Sequence, residues 1–193
     1  MIQQMPLFPL GTVLFPGGTL NLHIFEERYR QMIGTCLEQN SPFGVVFLHS
    51  GDEVVEGRPT ARPAETASIG TVAQISANVR LEDGRYLLTA TGQRRFRTQY
   101  ILQRAPYLIA AVVELPEERG PLVDAAAREL RSVYGRYWHA MALATGAPVE
   151  VEELPGDPEA MAYQLAERIQ MPYQQKQRWL EIELADRLRG LTA

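Results

Sequence analysis

Lysine is almost missing from this chain: Lys176 is the only one, and the positive charge is otherwise carried by arginine. Chemistries that need a lysine in a defined setting therefore have one candidate, and it has the wrong surroundings. Lys176 follows Gln175 without the glycines of a Gly-x-x-x-x-Gly-Lys-[Ser/Thr] loop, in which backbone amides and the lysine hold phosphates together. No serine stands close to it in sequence, so a serine-lysine dyad survives only as a distant pairing. The glycine pattern of a dinucleotide fold is also missing. Cysteine is equally scarce: Cys36 alone excludes an internal disulfide and a multi-cysteine zinc site. Lying on an apolar helical stripe, it reads as a small buried hydrophobe.

The three histidines, His23, His49 and His139, have no ligand spacing, and His23, His49 and Glu26 read as ordinary structural or surface residues in preference to a metal set. The adjacent carboxylates Glu26-Glu27, Glu117-Glu118 and Glu152-Glu153 read as solvated charge. Catalytic residues, a cofactor and a metal are accordingly not expected. No apolar run is long enough to span a bilayer, so no membrane partner is expected. Met1-Ile2-Gln3-Gln4 does not open a basic segment followed by an apolar core, which predicts no signal peptide and a cytoplasmic location. With a net charge of −4 the chain exerts no global pull on nucleic acid.

What is present is the composition of an ordinary globular protein, 46% hydrophobic with 22% charged residues, enough to build a real core over 193 residues. Residues 5–33 organise it. They read as two short strands, a turn at Pro16-Gly17-Gly18, a third strand and a helix. Pro6, Pro9 and Pro16 lack a backbone donor, which predicts edge strands interrupted by kinks. Leu20, Leu22 and Ile24 alternate with Thr19, Asn21 and His23, so His23 faces outward. Phe25, Tyr29, Met32, Ile33, Cys36 and Leu37 then recur at helical spacing, and Asn40-Ser41-Pro42 ends the helix.

Residues 43–49 form a continuous apolar run, the pattern of a strand buried on both faces. Residues 50–67, rich in glycine, proline and acid, read as a long surface loop. The runs 69–81 and 85–91 flank Glu82-Asp83-Gly84, a strong hairpin signal. Strands over 93–103 and 107–115 follow, separated at Ala105-Pro106. Several short strands with one inserted helix favour a barrel over a parallel layered sheet. From Gly120 the period becomes helical: Leu122, Ala126, Leu130, Val133, Tyr137, Met141 and Ala144 form one stripe, ended by Gly146 and Pro148. Asp157-Pro158-Glu159 starts a second helix, and a third runs over 173–189 with Leu180, Leu184 and Leu188.

Pro6-Leu7-Phe8-Pro9-Leu10, Val13-Leu14-Phe15-Pro16-Gly17, Leu22-His23-Ile24-Phe25-Glu26 and Arg28-Tyr29 together resemble the start of the Lon protease amino-terminal (substrate-binding) domain. Phe43-Gly44-Val45-Val46, Ile69-Gly70-Thr71, Asp83-Gly84-Arg85 and Gly92 with Arg95-Phe96-Arg97 agree in order. Asp157-Pro158-Glu159-Ala160, Gln164-Leu165-Ala166, Lys176-Gln177, Leu180-Glu181 and Arg187-Leu188 are similar to its helical half. The family's pattern has prolines about where this chain has Asn21 and Glu27. The resemblance implies an α+β fold, a PUA-like, partly closed antiparallel β-barrel over 1–118 with one inserted helix, then a helical subdomain of about three helices over 119–193. It also implies a free-standing, bacterial-type copy of that domain without ATPase or protease modules.

The function expected is that of a non-catalytic module binding unfolded polypeptide or an adaptor partner, with a homo-oligomer left open. Phe8, Phe15, Phe25, Glu26, Arg28 and Tyr29 are the candidate peptide-binding surface, since aromatics on irregular strand edges suit extended chains. The alternative is an RNA-binding PUA-like domain using the 94–104 strand, where Arg94, Arg95, Arg97 and Arg104 interleave with Phe96 and Tyr100. Leu22 and Phe96 are expected in the core.

Overall fold

The computed structural model describes residues 2–50, 65–146 and 151–192, so most of the expected loop over 50–67 lies outside the described residues. Its elements run β1 (Ile2–Leu10), β2 (Thr19–Ile24), α1 (Glu27–Gln39), β3 (Phe43–Ser50), β4 (Glu65–Arg80), β5 (Tyr86–Gln103) and β6 (Leu108–Glu114). Then come α2 (Pro121–Thr145), α3 (Pro158–Arg168), α4 (Tyr173–Glu181) and α5 (Leu184–Gly190). They form two compact units. The first takes Met1–Pro116 with Gln170–Glu181, the second Glu117–Ile169 with Ile182–Ala193.

The first unit holds one sheet in the order β2-β5-β4-β3-β1-β6, with β6 pairing back onto β5. Five strands thus close a ring, and β2 hangs on β5 outside it. All pairings are antiparallel except β1 with β3, because the chain between them passes through β2 and α1 and returns in the same direction. The longest strands serve twice. Ile69 to Thr71 of β4 and the Phe96 half of β5 belong to the ring, whereas Ile75–Arg80 and Tyr86–Ala90 pair beyond it, with β2 alongside. These outer parts make a three-stranded wing.

The prolines are not at the sheet's edge. β1 lies between β6 and β3, but it pairs with β6 over 2–7 and with β3 only over 7–10. Pro6 and Pro9 each fall where one side of the strand is open, so neither missing N–H breaks a two-sided ladder. Val13 to Phe15 are not a strand either. Leu14 accepts a hydrogen bond from Thr71 Oγ1 at 2.6 Å, and Pro16-Gly17 makes the expected turn with Gly17 at φ 80°.

A bulge decides which way β5 faces. Ala73 opposes Gly92 and Thr71 opposes Arg95, so β5 advances three residues while β4 advances two. Before it, Tyr86, Leu88 and Ala90 pack with Tyr29, Met32, Ile33 and Cys36 of α1. Beyond it, Phe96 turns into the ring interior with Met5, Leu7, Val46, Val72, Ala110 and Val112. β3 supplies both cores, Phe43 and Val45 to one and Val46 to the other, which accounts for its unbroken apolar run. Gly70 is where backbone meets backbone: a Cβ there would run into the Val45 carbonyl and press on Phe96.

Helix α1 begins later than its apolar spacing predicts. Glu26 is its N-cap, so Phe25 precedes the helix and stands 59% exposed instead of joining the buried stripe. Asn40 caps the other end at φ 48°. Burial raises the pKa of the Cys36 thiol, as expected of a cysteine packed in a core. Helix α4 belongs to the sheet unit: Arg95 Nη1 donates to the Leu180 carbonyl at 2.8 Å, and Gln177 Nε2 donates to the Ile69 carbonyl at 3.0 Å.

In the second unit Val123, Ala126, Ala127 and Leu130 of α2 pack on Met161, Ala162, Leu184 and Leu188. Leu122 is 64% exposed and Tyr137 55%, so the predicted stripe is displaced by one residue in its first turn and lies open in its second half. The helix expected over 173–189 is two helices, broken before Glu183. Asp157 caps α3 as its sequence indicates, accepting from the Ala160 N–H at 3.0 Å. Glu117 is not solvated charge. Its carboxylate pairs with Arg187 at 2.7 Å and accepts from the Tyr163 hydroxyl, with both partners of the ion pair buried and Arg187 lying over the Tyr163 ring.

Candidate functional site

The wing has two faces because its strands alternate. Leu20, Leu22 and Ile24 of β2 point inward to the α1 core. Outward, register places Asn21 beside Thr89 and Thr89 beside Ala77, then His23 beside Leu87 and Leu87 beside Val79. The result is a grid two residues long and three strands wide. It bounds a hollow of about 440 Å³. Val79 is 59% exposed and Leu87 45%, and Phe25 extends the β2 column, its ring 5.8 Å from that of His23.

Polar groups on this face are already engaged with one another. Thr89 Oγ1 donates to Asn21 Oδ1 at 2.8 Å, and Arg85 Nη1 lies 3.3 Å from His23 Nε2, which accepts. Arg85 also donates through Nε to Asp83 at 2.7 Å. The Asp83 carboxyl is held below the usual carboxylate range, first by the Arg85 backbone N–H and then by its guanidinium. What the face offers a ligand is therefore apolar contact from Phe25, Leu87 and Val79, framed by paired polar groups. That chemistry suits side-chain capture more than bond making.

The sequence-predicted residues are scattered by the fold. Phe8, Phe15 and Tyr29 are buried, with the Phe8 and Tyr29 rings 4.1 Å apart in the α1 core. Glu26 and Arg28 pair with each other at 2.9 Å, and the Arg28 guanidinium lies 4.4 Å over Tyr29. Of that set Phe25 alone reaches the wing's outer face. The arginine strand is divided likewise. Arg95 is buried against α4 and Arg94 pairs with Glu114 at 3.1 Å, while Arg97 and Arg104 are exposed and show no ion pair among the described residues. Val79 and Leu87 were not singled out from sequence. The usable signal was the Leu87-Leu88 doublet beside the Asp83-Gly84 turn: adjacent residues of a strand face opposite ways, so in a strand with a core on one side one of the two leucines lies outside.

A five-strand ring with a sixth strand beside it, a helix inserted after the second strand and a helical segment following define a mixed α+β class of domain. The model of the ATP-dependent protease La (LON) substrate-binding domain matches residues 4–192. This chain therefore belongs to the LON substrate-binding domain family. It is 28% identical over 191 residues to a Lon protease of Anaeromyxobacter dehalogenans and 32% identical over 186 residues to one of Paraburkholderia phytofirmans, covering 96% and 93% of this chain. It spans only 22% of the length of each.

Among solved structures it resembles a Lon N-terminal domain protein from Xanthomonas campestris, at 26% identity and TM-score 0.65, covering 98% of this chain and 96% of that one. It also shares its fold with the N-terminal domain of a Mycobacterium avium complex Lon protease, at 19% identity and TM-score 0.66 with the same coverage. No helix among the described residues is long and apolar enough to cross a membrane.

Proposed function

We propose that this chain is a non-catalytic binding module that recognises unfolded polypeptide through the outer face of the wing. The observation that carries the reading is the exposure of Val79 and Leu87 in one hollow, with the exposed Phe25 beside His23 at its end. Apolar side chains of an unfolded segment gain contact there without displacing the core, and a folded partner with its own core buried offers fewer such side chains. Membership of a substrate-binding family and coverage of about a fifth of the Lon relatives accord with a part that binds while chemistry resides elsewhere. An adaptor protein is a second occupant of the same face, and the cytoplasm is the proposed location.

The test is fluorescence anisotropy of labelled, reduced and carboxymethylated α-lactalbumin at physiological salt, with labelled single-stranded RNA in parallel. Saturable binding of the polypeptide, weakened about tenfold or more by Leu87→Asp, is the expected result. No binding at high micromolar protein overturns the reading. Binding of the RNA alone, lost with Arg97→Glu, transfers it to the arginine strand. Purified protein should leave casein intact with or without ATP, and turnover would refute the non-catalytic reading.

A further inference from the structure

Among the described residues the wing has two open edges: β4 over Ile75–Arg80 carries a bulge against β5, whereas β2 carries none of the devices that usually protect one. Proline, lysine, inward charge and bulges keep edge strands from pairing with other chains. Here Pro6 and Pro9 sit on β1, inside the sheet order, while β2, Thr-Leu-Asn-Leu-His-Ile, ends that order and among the described residues is hydrogen-bonded to β5 alone. It has no proline, no lysine and no acidic residue, and its register with β5 is unbroken over all six residues.

The orientation of its backbone follows from the turn before it. Gly92 N–H donates to the Gly18 carbonyl at 2.9 Å. An antiparallel ladder alternates from there, so Leu20, Leu22 and Ile24 exchange bonds with β5. Thr19, Asn21 and His23 then point their N–H and C=O groups away from the sheet. A row of three such residues matches the hydrogen-bonding pattern of one extended strand.

We infer that an unfolded polypeptide binds by adding itself as a further strand along β2, and this rests on the wing being the polypeptide-binding face. A six-residue edge spans about 20 Å of extended chain. Every second side chain of the added strand then lies on the outer face, continuing the surface of Phe25, Leu87 and Val79. The substrate class is thus a short extended segment with apolar residues at alternate positions, held by backbone bonds for affinity and by that face for selection. A second copy of this chain pairing through its own β2 is a poorer occupant. It would set a second column of Thr19, Asn21 and His23 beside the first, with Phe25 at its end as the only large apolar side chain that column contributes.

Two measurements on the intact chain decide it. Amide exchange followed by NMR with and without reduced, carboxymethylated α-lactalbumin should show Thr19, Asn21 and His23 slowed about tenfold or more, with Leu20 and Leu22 protected in both states. Asn21→Ala removes only the side-chain bond to Thr89 and serves as the reference; Asn21→Pro removes the edge donor as well and should weaken anisotropy-detected binding about tenfold further at the melting temperature of Asn21→Ala. If Asn21→Pro misfolds, the exchange measurement on the unaltered protein decides alone. Binding that falls with Leu87→Asp while the three amides exchange freely would overturn strand addition and leave the face as the site. No binding at all overturns both. Protection of the three amides that rises with protein concentration and needs no polypeptide would assign the edge to a second copy.

Discussion

The ring and the wing are made from the same two strands, yet they obey different rules. Inside the ring β4 and β5 have neighbours on both sides, and residues such as Gly70, Val72 and Phe96 are buried. Beyond the bulge at Gly92 the same strands keep a core on one face and leave Val79 and Leu87 in solvent on the other. A continuous strand can therefore carry both a close-packed part and an open part that leaves apolar side chains in solvent, provided a bulge separates them. On the proposed function, stability and binding should respond to different residues.

The largest test of that division is Phe96→Ala. Its side chain is 1% exposed at the centre of the ring, and truncation should destabilise by about 3–5 kcal/mol, read as a fall in the denaturant midpoint. An unchanged midpoint would mean that the ring has no single core. Gly70→Ala comes next, at about 1–3 kcal/mol, because the new methyl meets the Val45 backbone as well as a movable ring. If Phe96→Ala in the same chain relieved none of that loss, the Val45 carbonyl would be the whole obstacle.

Leu22→Ala, on the wing's inner face and only half-buried, should cost about 1–2 kcal/mol. On the outer face Leu87→Asp should move stability by less than about 0.5 kcal/mol while removing polypeptide affinity. A stability loss from Leu87→Asp as large as that from Leu22→Ala would erase the distinction between the wing's two faces.

The smallest effect is acid loosening of the wing's turn. The Asp83 pKa is lowered in the folded chain, so its unfolded carboxyl binds a proton at higher pH than its folded one. Its stabilising contribution is complete above the ordinary carboxylate value of about 4 and disappears as pH falls through the lower folded value. Amide exchange at Gly84 and Arg85 should quicken over that window, with Phe96 and Val112 in the ring unaffected. Equal acceleration in both places would assign the acid response to the ring.

The elements with local causes could be read from the chain. Pro16-Gly17 needs a turn wherever it lies, Asp83-Gly84 closes a hairpin between two alternating runs, and Asp157-Pro158 starts a helix with an oxygen cap. The double burial of 43–47 was legible too, since an unbroken apolar run fits a strand with a core on each side. The candidate site was legible only in Phe25, and there for a different reason, because the helix starts after it. Aromatic identity could not separate Phe25 from Phe8, Phe15 and Tyr29, which share its chemistry but not its surroundings.

By itself the sequence determined the family, the mixed α+β class and most of the strands and helices, because each depends on spacing along the chain. Tertiary structure decided that β2 is left as an open edge. Prolines on β1 suggested an edge, but ring closure through β6 and β5 placed that strand inside and left β2 outermost. It also decided that Arg95 and Glu117 lie buried beside partners far away in sequence, the Leu180 carbonyl and Arg187. The physical reason is common to both: the solvation of a charged side chain or a strand edge depends on what the rest of the chain brings against it, and no local pattern records that.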